Sequence, residues 1–185
     1  MKRNNKKGYS LLEVLIVIGI ITSIIVSVFY FYPKLKNSNT VNIEVSNLNT
    51  ILSGIYGIYN GNNYDGISNK ILIEAKIIPN TMVSNTLYKI TNSWKGEVII
   101  SAYKVKNRHS MLSMKYTNIP QDQCALFVSS VEKNFGAIKT DVSYLQNNNQ
   151  KTSFIKNSYK NMDLNIDNVA KGCSEKYNNI TFYTK

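Results

Sequence analysis

Residues 6–32 read KKGYSLLEVLIVIGIITSIIVSVFYFY, and the architecture of the whole chain turns on where that segment finds its solvent. From Val14 to Tyr32 it holds nineteen residues without a charge. Wound as a helix they span roughly 28 Å, close to the roughly 30 Å hydrocarbon core of a bilayer. The residues before it are basic (Lys2, Arg3, Lys6, Lys7), so the positive-inside rule places the N-terminus in the cytoplasm and everything after Tyr32 outside. A cleaved secretory signal ends in small residues, whereas this run ends Phe29-Tyr30-Phe31-Tyr32-Pro33 with no A-x-A pattern nearby. The apolar helix is therefore read as retained.

A plain membrane anchor leaves Glu13 unexplained. It sits at the cytoplasmic edge of the run, flanked by Leu11, Leu12, Val14 and Leu15. Drawing an ionised carboxylate into the bilayer costs about 2.5–3.5 kcal/mol on insertion scales, and such groups usually have a partner. A cut after Gly8 creates one, because the new α-amino group of Tyr9 is cationic and a packed neighbour can present it to Glu13.

Working outward, Pro33 interrupts the helical pattern and has no N–H for the carbonyl of Phe29, so a kink or local opening is expected there. Val41, Val45, Leu48, Leu52, Ile55 and Tyr59 then recur at steps of 4, 3, 4, 3 and 4, one apolar stripe of an amphipathic helix. Tyr9 to about Tyr59 makes a rod of roughly 75 Å, bare in its first half and covered in its second. Past Asn60 a polar, turn-rich stretch leads to a short apolar segment, Lys70 to Ile78, that stops at Pro79. Gly96–Val105 and Ser110–Thr117 are strand-like and flank the turn Lys106–His109, which reads as a hairpin. Asp122 to Phe135 has helical spacing with Cys124 facing inward. Gln146 to Asn161 is rich in Asn and Lys and is expected to be exposed. Ile180 to Thr184 closes the chain as a strand. Two strand pairs against a helical spine make an α+β fold: a long N-terminal α-helix, half transmembrane and half amphipathic, packed on a small antiparallel-sheet domain. The segments are 1–8 (leader), 9–32 (transmembrane half), 33–60 (amphipathic half) and 61–185 (globular head).

The formal charge of +11 invites a nucleic-acid partner. Four of the basic residues fall in the first eight positions, however, and the remaining lysines are scattered among Asn, Ile and Tyr, so no specific nucleic acid is expected. The single histidine, His109, lies in a polar turn and reads as solvated. Cys124 and Cys173 lack the paired spacing of a zinc site. No Ser/His/Asp set, Gly-rich phosphate loop or metal cluster is present in the sequence, so neither an enzyme nor a cofactor is expected.

The stretch Lys6-Lys7-Gly8-Tyr9-Ser10-Leu11-Leu12-Glu13, followed by about twenty apolar residues, resembles the prepilin peptidase site of the type IV pilin superfamily. The resemblance implies cleavage between Gly8 and Tyr9, methylation of the new N-terminus, and a role for Glu13 in docking an incoming subunit on its neighbour. Further stretches are similar to the type IVb class, especially thin-pilus and bundle-forming major pilins. They are Ile55-Tyr56-Gly57-Ile58-Tyr59 leading into Tyr64-Asp65-Gly66-Ile67, then Ile78-Pro79-Asn80-Thr81-Met82 and Asn92-Ser93-Trp94-Lys95-Gly96-Glu97-Val98. Ile119-Pro120 before Cys124, and Cys173-Ser174 before Asn179-Ile180-Thr181-Phe182, complete the series. The implied partners are other copies of the chain in a helical homopolymer, the prepilin peptidase, the inner-membrane platform with its assembly ATPase, and the membrane before assembly. The implied locations are the inner membrane and then an extracellular pilus serving adhesion, aggregation or conjugative mating.

On a Gram-negative reading the head lies in an oxidising compartment, which suits a Cys124–Cys173 disulfide; two buried free thiols are the alternative. A bridge across this separation would remove denatured-state entropy worth about 4 kcal/mol in the loop-closure model. A minor pilin or a secretion pseudopilin shares the same N-terminus and is the nearest alternative function. A periplasmic binding protein on a single-span anchor comes next, and a membrane-anchored enzyme last.

Overall fold

A computed structural model describes residues 10–59, 63–84, 88–104, 110–145 and 151–184. The chain divides into two compact units, residues 1–38 and 39–185. The first helix, α1 (Leu11–Ile58), contributes to both, and Pro33 lies inside it without a break in the helical assignment. The helix continues past that proline, where the Phe29 carbonyl has no N–H from residue 33 to accept.

From Leu11 on, the first unit is helix alone among its described residues, and its large apolar side chains, from Leu11 to Leu35, are exposed. The hydroxyls in the run turn back onto the helix's own carbonyls. Thr22 Oγ1 donates to Ile18 O (3.0 Å) and Gly19 O (2.9 Å), Ser23 Oγ to Ile20 O (2.7 Å), and Ser27 Oγ to Ser23 O (2.8 Å). Three polar residues thus cost the apolar cylinder little, because none needs water to satisfy its donor.

In the second unit α1 presents one covered face. Val41, Leu48, Ile51, Leu52 and Ile55 are buried there, in line with the stripe read from the sequence, and Glu44 is buried among them. A short helix, α2 (Asn69–Glu74), follows, capped by Ser68, and then the sheet begins. Its strands are β1 (Ile90–Thr91), β2 (Glu97–Tyr103), β3 (Met111–Pro120), β4 (Ala137–Leu145), β5 (Lys151–Asn157) and β6 (Tyr177–Tyr183). They form one antiparallel sheet in the order β1-β2-β3-β6-β4-β5. The expected hairpin is β2–β3, with Val98 opposite Tyr116 and Tyr103 opposite Met111; its turn and His109 lie outside the described residues. The closing strand is β6. It occupies the middle of the sheet, where Ile180 and Phe182 are fully buried.

Three expectations need correction. The strands join one sheet rather than two pairs, because β6 bridges β3 and β4. The Asn- and Lys-rich region is not simply exposed: Lys151–Asn157 is β5, with Ile155, Lys156 and Asn157 buried. Composition misleads here because the ammonium of Lys156 is paired internally with Glu132. The helix predicted over 122–135 is α3 (Gln121–Val131), tightening into a 3₁₀ turn, Glu132–Asn134. Phe135 reaches the core from extended backbone instead, its ring 4.9 Å from that of Phe182. Tyr116, Phe127 and Phe182 complete this aromatic core at ring separations of 5.3 to 6.1 Å.

Candidate functional site

The functional residues named from the sequence fall in two places, and each is built by local chemistry. At the start of α1, the Glu13 and Val14 amides donate to Ser10 O (3.0 and 3.2 Å), so the helix is already closed by its first turn. The Glu13 side chain is exposed on it. Gly8 and Tyr9 lie outside the described residues. The helix from Leu11 to Ile58 is long and apolar enough to cross a membrane, and its most apolar window is wholly uncovered in the single chain. An exposed apolar surface of that length is far beyond what a soluble monomer carries, so lipid or protein must cover it.

In the second unit Cys124 and Cys173 form a disulfide with a Cα–Cα distance of 5.7 Å. Cys124 stands in the first turns of α3, and Cys173 is the C-cap of α4 (Ile166–Gly172). The bridge therefore pins α4 to the helix that packs on β3 and β6. Both sulfurs are buried, at 0% and 4% residue exposure. The enclosed segment has further ties. Thr140 Oγ1 donates to Gly172 O at 2.9 Å, and Lys156 Nζ donates to Glu132 O at 2.8 Å as well as pairing with its carboxylate. Gly172 has to be glycine here, because a Cβ would lie 2.5 Å from Ile155 Cγ1.

The stretch Asn92–Gly96 turns out to be a latch between elements. Asn92 Oδ1 accepts from the amides of Trp94 (3.0 Å) and Gly96 (2.8 Å), and Asn92 Nδ2 donates to Thr117 O (2.8 Å). Trp94 Nε1 donates to Gln123 Oε1 of α3 at 2.7 Å, and Asn118 Nδ2 donates to Trp94 O at 2.6 Å. Asn118 does this from the left-handed region (φ 62°), at the register shift in β3. A Cβ on Gly96 would lie 1.9 Å from Thr117 O, so no other residue lets β3 approach so closely.

Ser93 carries the latch to α1. Its amide and hydroxyl donate to Glu44 Oε1 at 2.8 and 2.6 Å. Burial pushes the Glu44 carboxyl above its ordinary value of 4.5, against the opposing hydrogen bonds from Ser93 and Asn47. Glu44 Oε2 and the hydroxyl of Tyr116 are both buried without a hydrogen-bond partner among the described residues. Tyr116 is held well above the ordinary tyrosine range by burial, with the Glu44 charge adding to it. Sequence reasoning missed Glu44; the one hint was a carboxylate at helical spacing from Val41 and Leu48, on the face otherwise read as apolar.

Comparison with known proteins places these features together. Residues 38–185 match the PilS N-terminal family, and residues 3–29 match the prokaryotic N-terminal methylation motif. The major structural subunit of the bundle-forming pilus from Escherichia coli (EPEC) is 30% identical over 99 residues, which cover 53% of this chain and 51% of that protein. The same subunit from another Escherichia coli serotype matches equally. The chain thus spans about half the length of the curated relatives it matches. Two crystal structures share the fold at 15% identity. A type IV b pilin from Salmonella typhi has a TM-score of 0.54, covering 76% of this chain and 97% of that one. TcpA, a type IV pilin from the Vibrio cholerae El Tor biotype, has a TM-score of 0.59, covering 80% and 99%. The chain belongs to the PilS family, and it joins the N-terminal methylation motif to the fold of a type IVb pilin.

Proposed function

We propose that this pilin is the major subunit of a type IV pilus, made as an inner-membrane precursor with its N-terminus in the cytoplasm. Cleavage between Gly8 and Tyr9 by a prepilin peptidase, with methylation of Tyr9, leaves α1 as the assembly element. A platform with its ATPase then moves the subunit into a helical homopolymer, where the apolar halves of neighbouring helices cover one another. Such heterologous contacts do not close, so they propagate as a fibre. Glu13 sets the register by taking the neighbour's N-terminal ammonium, and Pro33 supplies a point of axial compliance in a helix short of one hydrogen bond. The heads form the outer surface and make adhesive, aggregative or mating contacts.

The observation that carries this reading is the apolar surface from Leu11 to Leu35, continuous and uncovered in the single chain. A bilayer covers it before assembly and identical helices cover it afterwards. The test is Glu13→Val in cells making the pilus. The variant should still insert and be cleaved, but yield few or no filaments; wild-type filament yield would remove the carboxylate from the mechanism.

A further inference from the structure

We propose that the face of the sheet opposite the core carries a binding site for a carboxylated sugar, in a groove between β2 and the turn that follows β5. Cross-strand neighbours point to the same side of a sheet, and the register aligns Tyr183 of β6 with Ala137 of β4 and Ala137 with Asn157 of β5. The short Ala137 side chain between two longer ones leaves a concavity. Its volume is about 590 Å³, within the usual range for small-molecule sites.

Three kinds of group converge on it. Tyr103 and Tyr183 pack edge to face with centroids 5.1 Å apart, and Phe154 adds a third ring. Their π-faces suit the weakly polarised C–H face of a pyranose. Lys139 and Lys160 also line the groove, and no carboxylate does among the described residues. Asp141, two residues along β4 from Lys139, is engaged by Lys115 Nζ at 2.9 Å and Asn179 Nδ2 at 3.1 Å. Its charge also acts on Lys139 and on Tyr183, so it offsets part of the positive charge here, and the two lysines leave a net excess in the groove. Asn157 supplies the third feature. Its residue is only 5% exposed, its backbone is paired with Met162, and its Oδ1 has no hydrogen-bond partner among the described residues. That oxygen is closed off from solvent, so a ligand donor reaches it only when the Asn157 side chain turns towards the groove, a move that exchanges an unmade hydrogen bond for a made one.

The occupant that meets all three has an apolar face, O–H or N–H donors and an anionic group, which is the chemistry of a sugar acid. Inorganic phosphate lacks the apolar face, and a fatty acid lacks the donors. Single-stranded nucleic acid is read by a basic track with successive stacking rings, whereas this is one compact groove with two lysines.

The inference deepens the adhesive part of the proposed function, yet it needs only the folded subunit. The test uses the full chain in detergent micelles, titrated with sialyllactose and with lactose by calorimetry and ligand-observed NMR. Sialyllactose should bind saturably, and lactose about tenfold or more weakly, equivalent to about 1.4 kcal/mol. Tyr103→Ala and Lys160→Gln are surface changes; each should weaken sialyllactose several-fold while the melting curve stays unchanged. Equal binding of the two sugars, wild-type affinity in both variants, or no saturable binding would overturn the proposal. Tighter binding of an oligothymidylate that displaces sialyllactose would also overturn it, in favour of a nucleic-acid groove. Subunits that bind the sugar but never form filaments would break the pilus reading and leave this site standing.

Discussion

The two parts of α1 share a backbone conformation and little else. From Leu11 to Leu35 apolar side chains point in every direction and are exposed in the single chain. From Val41 to Ile55 all but Ile43 lie along one covered stripe, with mostly polar residues around the rest of the circumference. A helix with a single apolar face is completed by its own domain, whereas one apolar all round needs a solvent the chain cannot supply. Even the polar groups follow this division. Thr22, Ser23 and Ser27 satisfy themselves on the helix backbone, while Glu44 depends on Ser93, 49 residues away in sequence.

The largest way to break this contrast acts on the covered unit alone. Cys124→Ser should lower its stability by about 4 kcal/mol, read by denaturation of the full chain in detergent, and pili should be absent. Normal stability and pilus yield would show that the bridge does not hold α4 in place. Next comes a matched pair in the same helix. Ile51→Ala should cost the second unit about 3 kcal/mol, because the side chain is fully buried. Ile21→Ala should leave the stability of that unit unchanged within about 0.5 kcal/mol, since its side chain is exposed in the single chain. Equal losses from both would mean that the two units unfold as one.

The smallest effect sharpens the contrast through pH. The folded-state value of Glu44 lies above its ordinary 4.5, so the native state holds this proton more tightly than the unfolded chain does. Stability from this group is then full at and below pH 4.5 and declines as pH rises towards the folded value. Glu44→Gln keeps an acceptor for Ser93 and has no charge to bury. It should raise the melting temperature at pH 7 and lose that advantage near pH 4. A variant less stable than wild type at pH 7 would show that the carboxylate is a net stabiliser.

Much of this molecule was legible where a pattern repeats. The apolar run, the 4-3-4-3-4 stripe, the β2–β3 hairpin and the β6 strand each carry their period within a few residues. What escaped depends on partners distant in sequence. Lys156 looks like a surface residue until Glu132 is placed beside it, so β5 was hidden in a polar stretch. Glu44 looks like a solvated helix position until Ser93 arrives. Asn92–Gly96 was recognisable as a family stretch, but its role as a latch appears only when Thr117, Asn118 and Gln123 close around it. Asn157 gives no sign in sequence that its side-chain carbonyl is buried and unpaired.

The central claim is that the uncovered half of α1 is kept by the mature subunit and buried again among identical helices. The most direct measurement is the intact mass and N-terminal peptide of the protein recovered from sheared surface filaments. The account predicts abundant subunits beginning at Tyr9, carrying one added methyl group and lacking the two hydrogens lost to the Cys124–Cys173 bridge. A chain that begins at Met1 and is found only in membranes would contradict it.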